Sequence, residues 1–291
     1  MVRSLAFASL ALLATLSPAA FAQKIFPTPE AAADTLVDAV ARSDAAALGA
    51  VLGTDYAKRI PDASEDEIDS FLANWAKRHG VIRRNDSTAF LEVGETRWQM
   101  PIPIVRSAAG WSFDTRGAED EMRTRRIGRN ELAVIKVSLA YADAQDEYFQ
   151  ADPDRDGVKA YATKLISSKG RHDGLYWPTL DDEPPSPLGP IMALVAPGQP
   201  YHGYLYRILT AQGAAAPGGV KDYVRNGRMT EGFALVAWPA RYGDSGVMTF
   251  IVNRDGIVHE KDLGPRTDAI ARAMKAYDPD PGWKKSDLPA D

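Results

Sequence analysis

The stretch Asn130–Gln150, NELAVIKVSLAYADAQDEYFQ, decides the fold. Leu132, Ile135, Leu139 and Ala142 recur at three-and-four spacing, and Ala133, Val137, Ala144 and Tyr148 form a second such row beside them. Two adjoining apolar rows make a wide stripe, so the spacing predicts a mostly buried helix. Lys136, Asp143 and Glu147 leave a narrow polar strip in which the two carboxylates repel each other across one turn. No Gly or Pro interrupts the run, which stops in Asp152-Pro153-Asp154-Arg155-Asp156-Gly157, a sequence that favours a tight turn. Such a helix needs a surface to bury against. Downstream, Leu205–Leu209, Phe233–Trp238 and Met248–Val252 read as apolar strands, and an antiparallel sheet closing over the helix is the expected arrangement.

Ahead of this helix, Thr28 with Pro29 and Glu30 opens a predicted helix through Ala41, Asp44 caps a shorter one ending near Gly53, and Ser64 with Glu67 makes a capping box. The third helix carries Ile68, Phe71, Leu72 and Trp75 on one side and is expected to end at His79-Gly80, with the glycine left-handed. Strands are predicted at Thr88–Val93, Trp98–Val105 and Trp111–Asp114, followed by a polar linker over Arg116–Gly128. After the central helix, Glu183–Pro200 holds six prolines and reads as a surface loop with one helical turn around Ile191–Val195. Val247–Asn253 and Ile257–Asp262 form a hairpin across Asn253-Arg254-Asp255-Gly256, and Thr267–Tyr277 is a last amphipathic helix before a polar tail. Helices followed by sheets place the chain in the α+β class.

Arg3, the apolar run Leu5–Leu16 and the small residues Ala20 and Ala22 predict a secretory signal peptide cleaved before Gln23. That run is too short to span a bilayer, and nothing in the expected mature chain reads as a membrane span. No cysteine is present, which excludes a disulfide framework and a lipid-bearing terminal cysteine. The expected layout is a signal peptide over 1–22, an N-terminal α+β domain over 23–116, and a helix-plus-antiparallel-sheet domain over 117–291. Net charge is −5 and the basic residues cluster only at Arg123, Arg125, Arg126 and Arg129, so nucleic acid is not an expected partner.

Several segments resemble known families. Residues 26–115, on the Asp44-Ala45-Ala46-Ala47-Leu48 helix restart and the terminal Gly110-Trp111-Ser112-Phe113-Asp114 strand, resemble the cone of the nuclear transport factor 2-like (NTF2-like) superfamily. That resemblance implies helices lying on a curved antiparallel sheet and, in many members, a small ligand held inside. Arg129-Asn130-Glu131-Leu132-Ala133, Asp173-Gly174-Leu175-Tyr176-Trp177-Pro178, Tyr201-His202-Gly203-Tyr204 and Gly232–Pro239 together resemble an exported bacterial family catalogued as domain of unknown function 2950. It implies no activity. Glu131, Ala144 and Tyr148, the Gly203-Tyr204 strand, and the run from Tyr242-Gly243 through Gly246 to Val258 resemble the globular head of type IV pilin-like proteins. Here the helix begins after a whole domain, so fibre assembly through that helix is not implied.

Chemistry is sparse. Asp152, Asp154 and Asp156 before Gly157 reproduce the first half of a calcium loop, where alternate carboxylates converge on a hard cation, and these three are the candidate Ca²⁺ ligands. The second half is missing, since Lys159 and Thr163 stand where an apolar residue and a bidentate Glu belong. Gly243-Asp244-Ser245-Gly246 resembles the nucleophile loop of chymotrypsin-like proteases, but Val247-Met248 departs from it and no histidine has the matching setting, so a turn is expected. His79, His172, His202 and His259 show no metal spacing. Trp177, Tyr201, Tyr204, Tyr206 and Trp238 would line a glycan or peptide groove if they shared a surface, although aromatics at strand spacing are usually core. With no catalytic constellation legible, the expectation is a periplasmic or secreted binding or structural module meeting an envelope protein or glycan. The alternative is an enzyme or small-ligand carrier using the N-terminal cone.

Overall fold

The computed structural model describes residues 23–153, 157–179, 185–189 and 198–286. The fold is α+β, in two compact units that divide between Glu121 and Met122.

In the first unit, α1 (Pro29–Ala41) is capped by the Thr28 hydroxyl accepting from Ala31 N, α2 (Ala45–Leu52) by Asp44 accepting from Ala47 N, and α3 (Glu65–Lys77) by the reciprocal Ser64–Glu67 capping box. The helices lie against a five-stranded antiparallel sheet of β1 (His79–Asn85), β2 (Thr88–Val93), β3 (Trp98–Gln99), β4 (Ile104–Ser107) and β5 (Gly110–Phe113), in the order β1-β2-β4-β5 with β3 also on β2. Ala33 and Val37 of α1 meet Leu91 and Val93 of β2 in its core, with Phe71, Leu72 and Trp75 of α3 packed against them.

Two local expectations are corrected here. Gly80 does not close α3; Arg78 leaves the helix in extended backbone and Gly80 pairs with Glu92 in the β1–β2 ladder. The strand expected over Trp98–Val105 is two strands, because Pro101 and Pro103 lie between them and cannot donate to a ladder.

The central helix, α4, runs from Thr115 to Ala151, so the expected linker over Arg116–Gly128 is helix. Asp114 starts it, its Oδ1 accepting from Arg116 N at 3.1 Å and Gly117 N at 3.0 Å, which satisfies donors that the first turn leaves free. Within the second unit the buried positions of α4 are Val134, Ile135, Ser138, Tyr141, Ala142, Ala144, Gln145 and Tyr148, while Leu132 is 39% exposed. The buried face is therefore turned from the Leu132–Leu139 row and has two polar residues in it.

That face packs on a five-stranded sheet of β6 (Tyr204–Leu209), β11 (Ala234–Pro239), β12 (Met248–Asn253), β13 (His259–Asp262) and β15 (Lys284–Lys285), in the order β15-β13-β12-β11-β6. Every pairing is antiparallel, with Leu235 of β11 opposite both Ile208 and Val252. The β12–β13 hairpin closes as expected: Gly256, at φ +67°, donates to Asn253 O. Short pairs flank the sheet: β7 (Ala211–Gln212) with β8 (Lys221–Asp222), and β9 (Val224–Arg225) with β10 (Arg228–Met229). The last helix, α5 (Thr267–Ala273), is shorter than expected, because the chain leaves it to form β14 (Ala276–Tyr277), parallel to β7. The leader over 1–22, the helical turn expected at Ile191–Val195 and the last five residues of the tail lie outside the described residues.

A buried polar chain ties α4 to what it covers. The Gln145 amide donates to Ala162 O at 2.8 Å and accepts from Ala162 N at 2.9 Å, so one side chain meets both backbone groups of one residue. The same Nε2 donates to Tyr141 Oη at 2.9 Å, and that hydroxyl donates to Ala234 O in β11 at 3.2 Å. A polar residue is tolerated on the buried face because its partners are all supplied.

Candidate functional site

Of the expected calcium ligands the described residues include Asp152 alone; Asp154 and Asp156 lie outside them. Asp152 sits at φ +44°, one residue past the helix, with its N–H on Tyr148 O and its Oδ2 accepting from Gly157 N at 3.2 Å. Its Oδ1 is buried and has no hydrogen-bond partner among the described residues. An orphaned carboxylate oxygen fits the role of a cation ligand, since leaving it bare in the fold is unfavourable. Among the described residues no group of three or more His, Cys, Asp or Glu is arranged to hold a metal.

Ser245 is a structural hydroxyl. It is buried, accepts from Arg241 N at 3.0 Å and donates to Arg241 O at 3.2 Å, closing the turn that links β11 to β12. Residues of α4 hold this turn: Asn130 Nδ2 donates to Ser245 O at 2.8 Å, and Glu131 Oε1 accepts from Val247 N at 2.9 Å and Met248 N at 3.0 Å. Tyr204 Oη lies 3.4 Å from the same Glu131 oxygen and donates to Met248 O at 2.9 Å; burial and then the Glu131 charge push its ionisation far above the usual phenol range. Asp244 pairs with Arg241 and with Arg126, and the Arg241 bond first, then the Arg126 charge, holds its carboxyl below the ordinary carboxylate value. A methyl at Gly246 would meet Tyr204 Oη at 2.0 Å, so only glycine fits there. These contacts bring together the Asn130-Glu131, Gly203-Tyr204 and Gly243–Gly246 segments as a fastening, with their polar groups spent on one another.

The histidines serve packing. His79 stacks on Trp75, His172 stacks on Trp177, and His259 Nδ1 lies 3.1 Å from Tyr277 Oη. The aromatic groove does not form, because Trp177, Tyr204 and Trp238 are buried in the core and the Trp238 indole donates to Asp268 at 2.9 Å.

His202 is the exception. Tyr201-His202-Gly203-Tyr204 is a two-residue hairpin turn in which Tyr201 and Tyr204 exchange both backbone hydrogen bonds, and the two central residues sit at φ +46° and +73°. Such a turn favours Asn-Gly, so His202 occupies a position whose backbone suits another residue. Its side chain is exposed and lies against the Tyr201 ring, at 4.2 Å between centroids.

Both side chains border a cleft of about 500 Å³ beside α4. Helix α4 contributes the short side chains Ala133, Val137, Ala140 and Ala144, so three members of its second apolar row line the cleft. Lys136, Asp143 and Glu147 also line it, and Pro187, Leu188 and Gly189 complete the lining with Tyr201 and His202. The sequence had marked the polar strip of the helix but not the cleft.

No curated protein and no solved structure matches the chain. A family model matches residues 23–286, which includes both units and the cleft. On that match, the chain belongs to the family described as protein of unknown function (DUF2950).

Proposed function

We propose that this is an exported, non-enzymatic binding module of the periplasm or cell envelope, and that the cleft beside α4 is where it receives its partner. The observation that carries this reading is the cleft itself. It has a volume in the range of ligand-binding pockets, and small apolar side chains and charged groups line it. The groups that resembled catalytic machinery, Ser245 and Asp244, are occupied by their own turn. In the N-terminal unit, Phe71, Leu72 and Trp75 pack against the Leu91–Val93 face, where a ligand carrier would keep its cavity, so a carrier role there has less support. Presentation of a helix-on-sheet surface, as the pilin-like resemblance implies, is consistent with a binding role. Export is supported by the leader-like composition of the first 22 residues.

The test is capture from an envelope fraction using the mature chain, an Ala140→Trp variant that fills the cleft, and an Ala46→Trp variant altered at an exposed site on α2. A partner kept by the parent and by Ala46→Trp but lost from Ala140→Trp is the expected result. Equal capture by all three would overturn the cleft. Intact mass of the protein recovered from cells should begin at Gln23, and an uncleaved, unexported chain would overturn export.

A further inference from the structure

We infer that the cleft takes an extended, dipolar segment of a partner protein, with an acidic residue at one end and a basic residue four positions along. This deepens the binding reading above and rests on it. Lys136 stands toward one end of the cleft, and Asp143 and Glu147 toward the other. Along a helix rising 1.5 Å per residue, the backbone positions of these two residues lie about 10 and about 16 Å along the axis from that of the lysine. An extended chain advances roughly 3.4 Å per residue and points alternate side chains to one face, so its residues i and i+4 project together about 14 Å apart. That spacing falls between those two axial distances. Ala140, in the lining between the charges, leaves room for one apolar side chain at i+2.

Charge argues for the same occupant. Among the described residues, the side chains of Lys136, Asp143 and Glu147 enter no ion pair or hydrogen bond. Asp143 and Glu147 are one turn apart and repel, so an arriving ammonium or guanidinium relieves them both. The Tyr201 ring, which lines the same cleft, offers a surface for the aliphatic stem of that basic residue. An anionic polymer or membrane surface would find two carboxylates for one lysine.

The probe is a fluorophore-labelled Glu-Thr-Val-Thr-Lys amide, whose β-branched residues favour extended backbone, compared by anisotropy with the neutral Gln-Thr-Val-Thr-Gln. The mature chain should bind the charged peptide about tenfold more tightly than the neutral one, as expected for two exposed ion pairs. The double variant Asp143→Asn with Glu147→Gln removes one of the two pairs, so it should lose roughly threefold of that factor for the charged peptide and leave the neutral one unchanged. Both positions are exposed, and an unchanged melt will show that the variant is folded. Equal binding of the two peptides, or equal binding of the charged peptide to parent and variant, overturns the dipolar segment. If neither peptide binds while Ala140→Trp still loses the envelope partner, the dipolar segment falls and the cleft reading stands. If Ala140→Trp keeps the partner, both fall.

Discussion

Gln145 shows how far one side chain can decide local structure. Ala162 lies outside any ladder, and both its backbone groups depend on that amide. Gln145→Leu keeps the volume but strands an N–H and a C=O in the core, so it should destabilise the second unit by about 2 to 4 kcal/mol. Denaturant unfolding will measure it; a loss under about 1 kcal/mol would show that water replaces the amide. Asp173 sets an acid limit. Burial opposes its ionisation, but bonds from Lys164 and from the Ser168 amide and hydroxyl outweigh it and hold the carboxyl at about 2. Since the folded value lies below the unfolded one near 3.9, its stabilisation is complete above about pH 4 and is lost as pH falls toward 2. The side chain is about a third exposed, so screening limits the effect to roughly 1 kcal/mol. Asp173→Asn should flatten that part of a stability-against-pH curve, and an unchanged slope would refute the assignment.

Helix α4 is the element where sequence and structure part most instructively. The capped helices α1, α2 and α3 were legible to within a few residues, because Thr28, Asp44 and the Ser64–Glu67 pair announce them chemically. Residues 116–128 read as linker because Gly117 and Gly128 look like breakers and the stretch is highly charged. Asp114 was the missed start signal, hidden because it also ends a strand pattern. The buried face was misjudged by a fraction of a turn: Gln145 looks wrong for a core until Ala162, 17 residues along the chain, supplies its partner. The strands β2, β11 and β12 were readable from their short apolar runs, whereas no local pattern foretold the cleft. At the end of this helix the acidic turn yields a further prediction. With the orphaned Asp152 oxygen as one ligand, calcium at a hundredfold above its dissociation constant should add about 2.7 kcal/mol to the folded state. Thermal melts in chelator and in excess calcium should differ for the parent and coincide for Asp152→Asn. Coincident melts of the parent would leave the stretch an ordinary turn.

On the scale of the whole molecule, the large sheet of the second unit is built from distant pairs. Strand β6 waits for β11, and β13 for β15, so the core shared by Val134, Tyr141, Phe233 and Phe250 cannot close until most of the unit is in place. Non-local pairing of this kind is slow, whereas helix formation is complete within microseconds. In refolding from denaturant, the helical circular dichroism should therefore recover before the fluorescence of the buried Trp177 and Trp238. Simultaneous recovery of both signals would show that α4 forms only with its sheet. The same ordering applies during synthesis. Helix α4 ends at Ala151 and β12 at Asn253, so roughly 100 residues must follow before the helix has its surface. At ribosomal rates of about 5 to 20 residues per second, that leaves its apolar stripe in water for roughly 5 to 20 seconds. A holding chaperone has that interval in which to grip it, and the segment from which the fold is read is the one it would grip.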